Sequence, residues 1–175
     1  LDIKLRDVEV KKKQNLFQFI EQYIEEAKGR THSKTGKKLS RFTIHMYNRS
    51  FETVRDFSTK YKIRTDFDTI DLTWYYLYLN YLTKDLQLAN NTAGSRIRDL
   101  KIFLNDAVER GLNTNLAFKS KKFKKIVEDT YEIYLTETEL QEMEDLDLSW
   151  NKKLDRTRDL FILGCWTGLR FFDYT

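Results

Sequence analysis

The stretch NNTAGSRIRDLKIFLNDAVERG, residues 90–111, decides how the rest of the chain is read. Ile97, Leu100, Leu104, Ala107 and Val108 recur at the period of one α-helical face. Arg96, Arg98, Lys101 and Asp106 fall off that stripe. Asn90, Asn91 and Thr92 are residue types that cap helix starts, and Gly111 is a helix stop. The pattern predicts a long, amphipathic helix that needs partners to cover its apolar face.

Upstream, the partners are legible. Asn15 to Lys28 (NLFQFIEQYIEEAK) repeats Leu16, Phe19 or Ile20, Tyr23 and Ala27 at helical spacing, with Gly29 as a stop. Residues 30–39 form a polar, glycine-containing loop. Ser40 is a good N-cap for a helix running to about Tyr61, with Ile44, Tyr47, Phe51, Val54, Phe57 and Tyr61 on one face. Residues 62–69 form a connector, and Asp71 or Thr73 can cap a third helix. Its middle, WYYLYLNYL (74–82), is apolar nearly all round. β-Propensity alone would allow a strand there, but the length of the run and its helical neighbours favour a helix. Residues 1–111 therefore read as a four-helix bundle. Residues 112–130 read as a lysine-rich tether, and residues 131–175 as a new unit. In that unit Thr136 and Glu139 form a capping box, and a last helix starts within 151–155 and runs to about Thr167. The expected fold class is all-α.

Composition agrees. The 175 residues contain no proline and six glycines, which favours long helices over a turn-rich sheet protein. Hydrophobic residues make up 41%, enough for a core, and 12 Phe, 10 Tyr and 3 Trp can fill it with rings. No apolar run approaches the ~20 residues of a membrane span, so no membrane partner is expected. Cys165 is the only cysteine, which excludes an intrachain disulfide and a cysteine-built zinc site. It lies in an apolar run and reads as a small buried core residue. His32 and His45 are too isolated to suggest a metal, and no cofactor is expected.

The net charge of +4 is modest, but it is unevenly distributed. Residues 27–51 carry seven Lys and Arg and no acid; residues 112–127 carry five Lys and no acid; residues 128–149 carry nine acids and no Lys or Arg. Two separate basic blocks point to a polyanion partner.

The closing segment RDLFILGCWTGLRFFDYT, residues 158–175, is similar to the first catalytic box of the tyrosine recombinases of the phage-integrase family: an apolar helix, then T-G-L-R, then an acid three residues on. Residues 90–111 resemble the last helix of that family's core-binding domain, a small SAM-like bundle. LSRFTIHMYNRSFETVRDF (39–57) resembles an earlier helix of the same domain, and YLTETELQEM (134–143) resembles the entry to the catalytic domain. The pieces occur in the family's order. The resemblance is to the enzymes of bacterial mobile elements and implies a cytoplasmic, DNA-associated protein that acts in DNA integration and recombination.

The resemblance implies cleavage of DNA by a tyrosine, leaving a 3′-phosphotyrosyl link. Arg170 would then face the non-bridging phosphate oxygens, where negative charge builds up in the transition state; a guanidinium fork matches two such oxygens. Asp173, three residues on, would orient that fork. The family also needs a later lysine, a His-x-x-Arg box and a nucleophilic tyrosine. His32 and His45 do not begin such a box, and Tyr174 stands too close to Arg170 to be the nucleophile. A chain cut just inside the catalytic domain is therefore expected, inactive alone and monomeric, from a parent that forms a tetramer on double-stranded DNA. The implied DNA contacts are Lys37, Lys38, Ser40, Arg41, Thr43, His45 and Arg49; Asn91, Ser95, Arg96, Arg98 and Lys101; and, from a mobile tether, Lys121, Lys122, Lys124 and Lys125. Two rival readings use the same bundle: a non-catalytic DNA-binding regulator, and a protein-interaction domain.

Overall fold

A computed structural model of the chain describes residues 14–31 and 35–174. The start of the expected 1–111 bundle and part of the 30–39 loop, His32 included, lie outside the described residues. The chain divides into two units, Leu1–Glu128 and Asp129–Thr175.

The first unit is built on four helices: α1 (Leu16–Ala27), α2 (Arg41–Tyr61), α3 (Leu72–Asn80) and α4 (Asn90–Glu109). Each of the first three starts where a short polar side chain satisfies an orphan amide. Asn15 Oδ1 accepts from the Gln18 amide at 2.9 Å, and Gln18 bonds back to the Asn15 amide. Ser40 Oγ accepts from Thr43 at 3.1 Å, and Asp71 Oδ1 from Trp74 at 2.8 Å. The run 74–82 is helical, continuing α3 into a π turn at Tyr81–Asp85. Helical winding buries Trp74, Tyr75, Tyr78, Tyr81 and Leu82 together, which the alternation of a strand would split between two faces.

Phe57 of α2 is the hub of the core. Its ring lies 5.3–5.4 Å from the rings of Tyr61, Trp74, Tyr78 and Tyr81. Around it, α1 buries Leu16, Phe19, Ile20, Tyr23, Ile24 and Ala27, and α4 buries Ile97, Leu100, Phe103, Leu104 and Ala107.

Two expectations about the backbone of this unit need correcting. Ala89, not the Asn90–Thr92 cluster, occupies the N-cap position of α4, and no side chain caps it. The amides of Asn90 and Asn91 have a distant partner instead, Glu128. The lysine-rich segment 112–128 is also not a free tether. It lies on the bundle with Phe118 and Phe123 1% and 0% exposed, and it belongs to the first unit.

An ion-pair cluster joins α1 to the end of α4. Glu26 sits 2.6 Å from Arg110 and 2.9 Å from Arg30. Chiefly the Arg110 hydrogen bond lowers the Glu26 carboxyl from 4.5 to about 2. A depressed carboxyl stabilises the fold above its unfolded pKa and loses that contribution as pH falls through the folded one. Glu26→Gln should therefore be less stable than wild type at neutral pH. The gap should close between about pH 4.5 and 2, as read by urea unfolding across the acid range. A gap unchanged through that window would refute the assignment.

In the second unit, Thr136 and Glu139 form the expected capping box at α5 (Glu137–Glu144). Asn151 caps α6 (Lys152–Thr167), and Gly168, at φ +64°, ends it in the left-handed region that favours glycine. A last turn, α7 (Phe171–Tyr174), folds back so that the Tyr174 hydroxyl rests on Gly164, 2.3 Å from where a Cβ would stand. Among the described residues here, only Leu140 and Ile162 are buried hydrophobics. Cys165, expected in a core, is exposed, because one other helix and a turn cannot enclose α6.

Candidate nucleic-acid interface

The basic residues of the first unit fall into two groups with different local supports. One surrounds the start of α2. Lys37, Lys38, Ser40, Arg41, His45 and Arg49 are exposed, and Thr43 is half-buried. Ser40 and Thr43 hydroxyls bond each other at 2.9 Å while Ser40 caps the helix, so both are fixed at its first turn. Arg49 is 3.3 Å from Glu52.

The other group lies on the segment packed against α4, here called the strap. Lys121, Lys122, Lys124 and Lys125 are all exposed, while Phe123 between them is buried. The backbone carrying these lysines is tied down at several points. The Tyr75 hydroxyl donates to the Lys124 carbonyl at 2.9 Å, and Lys101 Nζ to the Phe123 carbonyl at 2.7 Å. Asn91 and Glu128 bond reciprocally, Asn91 Nδ2 to the Glu128 carbonyl at 2.8 Å and the Glu128 amide to Asn91 Oδ1 at 3.0 Å. The Phe123 ring sits 4.5 Å from that of Tyr75. At Gly94 the approach is so close that a Cβ would meet the Ile126 carbonyl oxygen at 2.0 Å. The lysines are thus displayed on a fixed ledge.

This arrangement redistributes the α4 candidates. Asn91 and Lys101 hold the strap, and burial pushes the Lys101 ammonium down from its ordinary pKa. The Ser95 hydroxyl bonds back to the Asn91 carbonyl at 3.0 Å. Arg96 is 8% exposed and donates to the Met46 carbonyl and to Ser50 Oγ. It is turned toward α2, which corrects its reading as a DNA contact. Of these α4 candidates, Arg98 alone is exposed.

Residues 15–126 match the profile of the phage integrase SAM-like domain. The chain belongs to that family. Membership places it among the site-specific tyrosine recombinases, or integrases. The matched region takes in all four helices and nearly all of the strap, so the strap is part of the SAM-like domain and not a linker beyond it. No curated protein and no solved structure matches the chain at a significant level. Among the described residues, no helix is long and apolar enough to cross a membrane.

Outside the SAM-like domain, Arg170 follows the left-handed turn at Gly168. Its Nε lies 3.0 Å from Asp173 Oδ2 and its Nη2 3.5 Å from Oδ1, and the arginine side chain is 87% exposed. The contact brings together the two residues singled out in the T-G-L-R segment, with the guanidinium open to solvent.

The sequence reading missed Tyr75, Gly94, Ser50 and Asp99. Gly94 carried a signal: a glycine inside a regular helical stripe marks a close backbone approach. Tyr75, Ser50 and Asp99 act through partners 49 residues away in the chain, and local spacing does not reveal that.

Proposed function

We propose that the chain is the DNA-binding part of a site-specific tyrosine recombinase, joined to the opening of its catalytic domain. The observation that carries this reading is the lysine ledge on a domain of the integrase family. Cations on an ordered backbone meet a polyanion with less ordering entropy to lose than cations on a free tether. The strap lysines and those around α2 contact DNA phosphates, and exposed α2 side chains such as Arg41 and Arg49 lie where a helix can present them to a groove.

In the complete enzyme, Arg170 stabilises the charge on the scissile phosphate, and Asp173 holds its fork. Cleavage by such an enzyme also requires the family's nucleophilic tyrosine, lysine and His-x-x-Arg box, and the enzyme works as a tetramer on DNA. Phe161, Trp166 and Phe172, 44%, 57% and 92% exposed, are apolar surface that the rest of a catalytic domain would cover.

The test is titration of a mixed-sequence DNA duplex over a range of salt. Binding should weaken as salt rises, with log K falling by about 0.9 per phosphate neutralised for each unit of log salt. Changing Lys121, Lys122, Lys124 and Lys125 to Gln should flatten that slope. An absence of binding at low salt, or affinity indifferent to salt, refutes the reading. Binding to an acidic protein in place of DNA would favour an interaction domain.

A further inference from the structure

Between α2 and α4 lies a buried polar cluster that bundle packing alone does not require. Asp99 of α4 is 0% exposed. Its Oδ2 accepts from Ser50 of α2 at 2.7 Å. Its Oδ1 accepts from Arg98 twice, from Nε at 3.0 Å and Nη2 at 2.8 Å. Burying a carboxylate is costly unless its partners are well placed. Here one partner is a guanidinium whose side chain remains 49% exposed. A second cation is already at hand, since buried Arg96 reaches the same Ser50 Oγ at 3.3 Å. The cluster therefore holds two arginines against one carboxylate, and the surplus positive charge is on the arginine that opens to solvent.

The geometry of Arg98 shows what that surplus can do. A guanidinium has five N–H donors arranged along two usable edges. Asp99 takes the edge formed by Nε and one Nη2 hydrogen. The end-on edge, with one Nη1 hydrogen and the second Nη2 hydrogen, is left for another acceptor pair. Because Asp99 is bonded to Ser50 on α2, it draws the guanidinium to the α2 side of α4.

We infer that Asp99, braced by Ser50, is a positioning residue that locks the Arg98 guanidinium so that its free edge grips two oxygens of one DNA phosphate. The inference rests on the DNA-binding reading and deepens it. It assigns one fixed contact and the buried pair that aims it. A lysine in place of Arg98 keeps the charge but has neither the fork nor the second edge.

The test measures affinity for a mixed-sequence DNA duplex at one fixed, low salt concentration. The proteins are wild type, Arg98→Ala, Arg98→Lys, Asp99→Asn and the Arg98→Ala/Asp99→Asn double variant, each checked for helical content. Arg98→Ala should weaken binding about tenfold, and Arg98→Lys nearly as much. Asp99→Asn should weaken binding in the presence of Arg98 and have little further effect in its absence, the signature of a coupled pair. Arg98→Lys binding like wild type overturns the inference, and this comparison stands even if Asp99→Asn does not fold. An Asp99→Asn loss that is undiminished in the Arg98→Ala background also overturns it, since Asp99 would then be acting on the fold alone. If wild type itself ignores DNA at low salt, the DNA-binding reading has failed and the inference goes with it. If wild type binds and Arg98→Ala binds equally well, only the inference has failed.

Discussion

Phe57→Ala is expected to cost about 3–5 kcal/mol of folding stability, the range for truncating a large ring in a closed core. The upper part of that range applies because the site cannot collapse. Four aromatic side chains, Tyr61, Trp74, Tyr78 and Tyr81, face the Phe57 ring at 5.3–5.4 Å. They come from both sides of the α2–α3 contact, and Tyr61 and Tyr81 are tied further out, by the Tyr61 hydroxyl bond to Asp85 and by the stack of Tyr81 on Tyr78. Rings held in this way relax little into a void, so the cavity remains and its lining loses contacts. Against a typical domain stability of about 5–15 kcal/mol, that is a large fraction. Urea unfolding followed by circular dichroism would show a lowered midpoint with little change in slope. A loss below about 1 kcal/mol would mean that Phe57 is not the hub.

What could be read from the sequence divides by the range of the interaction that decides it. The starts at Asn15, Ser40, Asp71, Thr136 and Asn151 are set by a side chain bonding an amide three residues on, and that geometry is written locally. Asn90 and Asn91 have the same chemistry but spend it on Glu128, almost forty residues away, so the same signal misled. The strap was obscured by its own composition. Two phenylalanines among many lysines show no period, and the surfaces that bury them belong to helices elsewhere in the sequence. Arg96 and Asp99 lie beside the apolar stripe of α4 and look solvated on a helical wheel. They are buried because α2 covers that flank and offers Ser50 and the Met46 carbonyl as partners. Cys165 shows the converse: an apolar helix implied a core, yet within its own unit only Ile162 of that helix is buried.

The strap also changes what the basic residues are for. Lysines on a flexible tether contribute affinity that depends on charge and hardly on position. Lysines on a docked backbone keep a fixed spacing, so the residues that dock the strap become part of the binding surface without touching DNA. Lys101 and Asn91 are of that kind. Substituting them should weaken DNA binding through the ledge rather than through a lost contact.

Gly94→Ala is the sharpest test of this, because helix propensity and docking predict opposite signs. In an exposed helix interior, glycine to alanine stabilises by about 1 kcal/mol. At Gly94 the new Cβ would stand 2.0 Å from the Ile126 carbonyl oxygen and 3.1 Å from its carbon. A flexible side-chain tip could swing away from such a clash, but a backbone carbonyl cannot, and this one lies between the Lys124 and Glu128 attachments. The strap must lift or the helix must shift, at a cost of about 1–3 kcal/mol or more, enough to outweigh the propensity gain. The loss is bounded, because the strap can detach while α1 to α4 stay packed, and the cost then cannot exceed the free energy of undocking. Three results are expected together. Helical content stays close to wild type, trypsin cleaves faster at Lys121, Lys122, Lys124 and Lys125, and affinity for duplex DNA falls while the salt slope persists, because the charges remain but their placement is lost. A Gly94→Ala protein that is more stable than wild type and no more sensitive to trypsin would mean that the strap does not dock on α4. The lysines would then belong to a free tether after all.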